Sequence, residues 1–437
     1  MTALLFLPPF LLGAALRLSL VAWGLPFWYD EVWTANFAAF PMPPGKALER
    51  LVAEDSHPPL AYALYRLWAE ALGLRDPLDH RDPGIEAGLR ALSALLGGGT
   101  AGFTALLARA LGASPAPALA AGFLYALAPA ALMREAEVHV YPPAAFFTAL
   151  GLFLWAKRHF WGFAAAAALA LHAHHLAFLL LLLPALSFGA RGLLPYALAL
   201  PWVLLGALQQ ARGLSEKSPF NGLPHEALAQ MAAFAHWPEP VSVAVGAGVW
   251  LLALLAALTR KGRLPGLALL LYLALWLLLL PWATGFNAYS VRYVTLPLPL
   301  VLSLLALLLS GRWALLLLVP LLSWALLLPT VRESYLGFRS PSLLALALTQ
   351  APGPVLASSK PLAGIAKYAC RSCPVELHSR KGLEAMEEGY LLLGKNSLRI
   401  LAGEEPDLLP LLQARGARVL GEQGGILLVR LPPQDGP

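Results

Sequence analysis

The chain has 437 residues, of which 58% are hydrophobic and only 13% charged, and its mean hydropathy is +0.65. A soluble domain carries about 45–50% apolar and about 25% charged residues, so a single water-soluble core is excluded. The net charge of +6 is modest, and no basic patch is interleaved with aromatics, which argues against nucleic acid as a partner and for basic loops beside a membrane.

Leu-rich stretches of about 20 residues, enough to cross a bilayer, recur along the chain. The first covers 3–25; with Arg17 as its one charge and no small-residue cleavage site, 1–24 read as a retained helix rather than a removed signal peptide. A mixed loop over 26–86 follows and opens with Trp28-Tyr29-Asp30-Glu31. Asp30 and Glu31 stand where a helix is predicted to begin, so they are either a helix cap and a first-turn acid or a pair of functional carboxylates. Glu54-Asp55-Ser56-His57-Pro58-Pro59-Leu60 comes next. It leads into a stretch with helical spacing, read as a helix at the membrane interface with Tyr62, Tyr65 and Trp68 among its interfacial residues.

Further spans are read at 88–108, 115–133 and 141–157. The link before the last of these, Arg134-Glu135-Ala136-Glu137-Val138-His139-Val140-Tyr141, is unusually charged, either through local pairing of Arg134 or for function. The segment 160–190 decides the topology, because His172, His174 and His175 at its middle are costly at bilayer depth. If the chain turns there, about eleven spans result, and Arg109, Lys157, Arg158, Arg191, Arg260, Lys261, Arg263 and Arg312 share one side. That arrangement puts the N-terminus in the cytoplasm and the polar loops outside. The later spans are 193–209, 241–259, 264–283, 293–310 and 313–330, with Asn287 to Tyr293, including Arg292, at the start of the fourth of these.

Two parts follow: a transmembrane part over 1–335 and a small extracytoplasmic α/β domain over 336–437. In the second, 354–358 and 425–431 read as strands, 406–416 as a short helix, and 417–421 as the strand after it. Cys370 and Cys373 read as a local disulfide in an oxidising compartment; the redox reading lacks a strand-to-helix context, and zinc lacks further ligands nearby.

If the five polar clusters converge on one outer cavity, carboxylates supply a base for a hydroxyl, and Arg and His stabilise a phosphate leaving group. Trp and Tyr faces suit sugar rings. That set fits glycosyl transfer from a lipid-phosphate donor better than ion transport, for which carboxylates inside spans or paired broken helices are expected.

In their order and placement, these features resemble the membrane glycosyltransferases of the GT-C fold, family-39-like. That group includes protein O-mannosyltransferases and the lipid A aminoarabinose transferase. The resembling residues are Asp30 and Glu31 after the first span, His57 to Leu60, Arg90 with its following Leu-Ser, the 135–141 link, the histidine pair and Arg292 to Pro299. The resemblance runs over about 1–330 and departs at the link, where an Arg shortly before Tyr141 is expected and His139 stands.

The resemblance implies an all-α polytopic fold and an inverting transfer from a polyprenyl-phosphate-linked sugar on the outer face of the cytoplasmic membrane. The acceptor is a lipid, glycan or protein. Asp30, with Glu31, is implied in catalysis, and His57, Tyr62, Tyr65, Arg292 and Tyr293 in holding the donor phosphate. Asp55, Glu135, Glu137, His139, Tyr141, His174 and His175 are implied in positioning sugar or acceptor. No cofactor is required; a divalent metal on Glu31, Asp55 or His174 stays open. The competing reading is a non-catalytic flippase or assembly partner for lipid-linked sugars, which needs a path to the short, basic inner loops.

Overall fold

The structure is a computed structural model of the chain. It describes residues 2–21, 25–38, 42–55, 57–74, 82–213, 225–235, 239–279 and 291–339. Beyond these it describes 342, 345, 348, 353–357, 360–370, 373–377, 386, 388–394, 412, 416–423 and 426–432. The expected helix over 406–416 and the polar residues Asn287 to Ser290 lie largely or wholly outside the described residues. Two compact units are formed, the first from Met1–Val21, Met42–Trp68 and Arg90–Arg332, the second from Ala22–Pro41, Ala69–Leu89 and Glu333–Pro437.

The first unit is helical. Helix α1 (Thr2–Val21) is apolar throughout and carries Pro8 and Pro9 inside it. It passes close to α5, the helix Pro83–Leu111, because glycine lines the crossing. A Cβ on Gly98 would lie 2.6 Å from the Phe10 carbonyl oxygen, so only a residue without a side chain lets the backbones approach. Helices α6 (Pro115–Leu127) and α7 (Pro129–Glu135) form one apolar stretch bent by 56°. The break falls where Pro129 opens α7, a position at which its missing N–H costs nothing.

Helix α8 (Tyr141–Ala156) packs on α9 (Phe160–Ala173), and the chain then turns into α10 (Ala177–Leu186). The segment 160–190 is therefore two helices. The turn is local in origin: His174 takes extended backbone angles (φ −158°, ψ 133°) and ends α9. At about 1.5 Å per residue, the 14 residues of α9 rise only about 21 Å.

Four helices among the described residues are long and apolar enough to span a bilayer: Thr2–Val21, Pro83–Leu111, Pro240–Leu258 and Trp313–Leu336, with the bent α6–α7 pair as a fifth. Six apolar helices of 10–17 residues stand where other spans were expected. The chain is a polytopic, predominantly helical membrane protein with a small α/β part near its C-terminus.

The second unit holds α2 (Tyr29–Ala38) and a five-stranded sheet. Its strands are β1 (Val355–Ala357), β2 (Val375–Leu377), β3 (Gly389–Gly394), β4 (Arg418–Gln423) and β5 (Ile426–Leu431), in the order β2-β1-β3-β5-β4. Strand β1 runs parallel to β2 and β3, while β5 is antiparallel to β3 and β4. The parallel β1–β2 pair needs a crossover, which the helix Lys360–Ala369 supplies; α2 packs on the same helix. The Cys370 and Cys373 sulfurs are bonded at the end of this helix.

Candidate active site

The site is built outward from Asp55, the residue that ends α3 (Pro44–Glu54). Its carboxylate accepts three hydrogen bonds: from the His57 backbone N–H at 2.9 Å, from His57 Nδ1 at 2.8 Å and from the Tyr62 hydroxyl. A carboxylate only accepts, so Nδ1 of His57 donates. The arrangement follows from the sequence: Pro58 and Pro59 carry the chain out of the turn, and α4 (Leu60–Ala71) begins at once, bringing Tyr62 back over Asp55. Burial pushes the Asp55 carboxyl up. The His57 charge beside it, with the hydrogen bonds from His57 and Tyr62, outweighs that and holds it well below the usual carboxylate range.

Around His57 stand residues from three other places in the chain. The His139 ring lies 5.8 Å away and the His174 ring 5.5 Å away, centre to centre. Tyr141 stacks on His139 at 4.8 Å and lies 5.3 Å from His174. Tyr293 stands 6.0 Å from His174 and 6.2 Å from Tyr141, and Tyr272 donates to the Tyr293 carbonyl at 3.1 Å, which fixes that turn. Arg292 precedes it in the short 3₁₀ turn Val291–Thr295. Burial pushes His139 and His174 well below the ordinary histidine value, and the positive charges of His57 and Arg292 push the same way, so both rings are neutral at pH 7. His175 follows His174 in the turn, and its charge adds to that push on His174.

Four of the five polar clusters thus meet inside the first unit: Asp55, His57, His139, Tyr141, His174 and Tyr293 share one neighbourhood. Tyr65 joins it from α4, its hydroxyl 2.7 Å from Ser93 and donating to the His139 carbonyl at 3.2 Å. Tyr62 and Tyr65 are 3% and 0% exposed, so they face protein and not a membrane interface as expected; their hydroxyls have polar partners there.

The remaining acids of the link are engaged elsewhere. Glu135 is fully buried, bound by Arg17 at 2.5 and 3.1 Å and by the Tyr125 hydroxyl at 2.5 Å. Glu137 pairs with Arg134 at 3.1 Å. His172 bonds the Ala168 carbonyl within its own helix at 2.8 Å.

In the second unit, Trp28 is the residue that caps α2, and Glu31, three positions on, accepts its N–H at 3.2 Å, as in half of a capping box. The same carboxylate pairs with Arg339 at 3.1 Å, both side chains fully buried, and the Arg339 guanidinium sits 3.5 Å over the Tyr335 ring. Glu31 is thereby an anchoring acid. Asp30, its neighbour, is half-buried in the first turn of α2. Sequence reading missed Arg339 altogether and noted Arg17 only as a lone charge, although an arginine in an apolar span signals a buried partner.

Among the described residues, no group of three or more His, Cys, Asp and Glu side chains is placed to hold a metal ion. Of the three suggested ligands, Glu31 is held by Arg339 and Asp55 by His57 and Tyr62.

No known sequence family and no curated protein matches the chain. A solved structure does: ArnT from Cupriavidus metallidurans, bound to undecaprenyl phosphate, superposes with a TM-score of 0.54 at 14% identity. The match covers 97% of this chain and 98% of that one. The chain therefore has a GT-C-like fold over nearly its whole length.

Proposed function

We propose that the protein is a membrane glycosyltransferase that moves a sugar from a polyprenyl-phosphate-linked donor to an acceptor on the outer face of the cytoplasmic membrane. The observation that carries this reading is the cluster of His57, His139, His174, Tyr141 and Tyr293 near Arg292, in a fold like that of a protein solved with undecaprenyl phosphate. Imidazoles and a guanidinium suit a phosphate, and aromatic faces suit a sugar ring or prenyl chain.

In the reaction, a base takes the proton of the acceptor hydroxyl as its oxygen attacks the anomeric carbon, and the family resemblance implies Asp30 as that base. The new carbon–oxygen bond forms on the face opposite the phosphate, and the bond from the anomeric carbon to the phosphate oxygen breaks. Polyprenyl phosphate leaves with the bonding electrons, its negative charge met by His57 and Arg292. Configuration inverts in this single displacement.

The decisive variant is Asp30→Asn, which removes the base with little change of shape. It is expected to lose transfer while keeping expression and polyprenyl-phosphate binding; full transfer by this variant sinks the assignment. Mass spectrometry of envelope glycolipids and glycoproteins, with and without the gene, then identifies sugar and acceptor. A flippase, unlike a transferase, would form no glycosylated product from lipid-linked donor and acceptor when purified.

A further inference from the structure

His174 has a fixed tautomer. The turn at 174–176 brings the Leu176 backbone N–H onto Nδ1 at 3.1 Å. A ring nitrogen that accepts a hydrogen bond carries no proton, so in the neutral imidazole the proton sits on Nε2. Nε2 is itself buried and meets no hydrogen-bond partner among the described residues. Buried polar groups almost always have a partner, so an orphaned N–H in a 5% exposed side chain points to a ligand.

The surroundings say which ligand. His57, Tyr141 and Tyr293 flank the ring at 5.3 to 6.0 Å, and the charges of Arg292 and His57 act on it. The charges of His57 and Arg292 favour an anionic acceptor over a neutral hydroxyl at this ring, the Asp55 carboxylate being taken up by His57 and Tyr62. A metal ion is the wrong partner, because Nε2 has no lone pair to give while Nδ1 is accepting. His174 also differs from His57, whose Nδ1 donates to Asp55. Two neighbouring imidazoles are therefore set in opposite senses by their local turns.

We propose that His174 Nε2–H is a fixed, uncharged donor to a phosphate oxygen of the lipid-linked substrate. This deepens the glycosyltransferase reading and rests on it. The contact is a binding contact and transfers no proton. It replaces the sugar- or acceptor-positioning role that family resemblance implied for this residue.

The test uses the full chain in lipid nanodiscs, with a polyprenyl monophosphate, the matching polyprenol and inorganic phosphate as probes. His174→Phe keeps a ring and removes the donor. Its affinity for polyprenyl monophosphate is expected to fall about tenfold or more, the size of one lost hydrogen bond to a charged group, with polyprenol binding unchanged. Equal affinity in variant and wild type overturns the proposal alone, as does an equal loss for polyprenol. Inorganic phosphate binding the wild type as tightly as the lipid overturns the lipid assignment. A wild type that binds no polyprenyl monophosphate overturns the glycosyltransferase reading as well. If the variant does not fold, nitrogen-15 NMR of histidine in the wild type decides. His174 should show a protonated Nε2 whose signal shifts on adding polyprenyl monophosphate; a protonated Nδ1, or no shift, overturns the proposal.

Discussion

The link between α7 and α8 has two ends of opposite character. At Glu135 every polar group is matched: the carboxylate meets Arg17 and Tyr125, all three fully buried. Four residues on, His139 stands among aromatic rings and other imidazoles, where burial and neighbouring cations keep it neutral. A closed network of charges holds helices together and leaves nothing over for a substrate. Neutral imidazoles beside Arg292, one of them His174 with its Nε2–H unpartnered among the described residues, are suited to an anion arriving from outside. The contrast separates residues that look equally functional as letters in one short motif.

The sharpest way to break this contrast is to open the closed end. Arg17→Met leaves the Glu135 carboxylate buried without its cation, and removal of one partner from a buried pair costs about 3–5 kcal/mol. Thermal unfolding in detergent should show a large loss for Arg17→Met and a substantial recovery in Arg17→Met combined with Glu135→Gln. An unchanged midpoint in the single variant means that this end is not structural.

A second, intermediate effect concerns pH at the other end. The folded Asp55 carboxyl is held below its ordinary value of 3.8, so its stabilisation is complete above that value and fades as pH falls through the lower folded value. The stability gap between wild type and Asp55→Asn should be constant from neutral pH to about pH 4 and then close with further acidification. A gap that widens on acidification contradicts the assignment.

The smallest effect is expected for Tyr65→Phe, which removes the hydroxyl contacts to Ser93 and the His139 carbonyl and should cost about 1 kcal/mol. A loss as large as that of Arg17→Met would erase the distinction between the two ends.

Much of the fold was legible because hydropathy reports spans directly. The hairpin at His174 was legible because three histidines are too costly for mid-bilayer. The Asp55, His57 and Tyr62 group was legible in its members, being within seven positions along the chain, but not in its packing. An amphipathic helix shows which face is apolar without saying whether lipid or protein covers it, and this is why Tyr62 and Tyr65 were read as interfacial. The pairs Arg17–Glu135 and Glu31–Arg339 were illegible because 118 and 308 positions separate their members, and no local pattern links residues at such range.

The glycine at position 97 gives the closed end an unusual kind of fragility. A Cβ there would overlap the Arg17 side chain and come within 2.8 Å of a Glu135 oxygen. The mildest substitution available, Gly97→Ala, adds one methyl group of no polarity, in a helix that ordinarily favours alanine. Its effect would nevertheless be electrical, since the methyl occupies the space that lets cation and carboxylate meet. At this position the tolerance of the protein to mutation is set by the distance between two charges, and a substitution scale based on size or hydrophobicity would rank it wrongly.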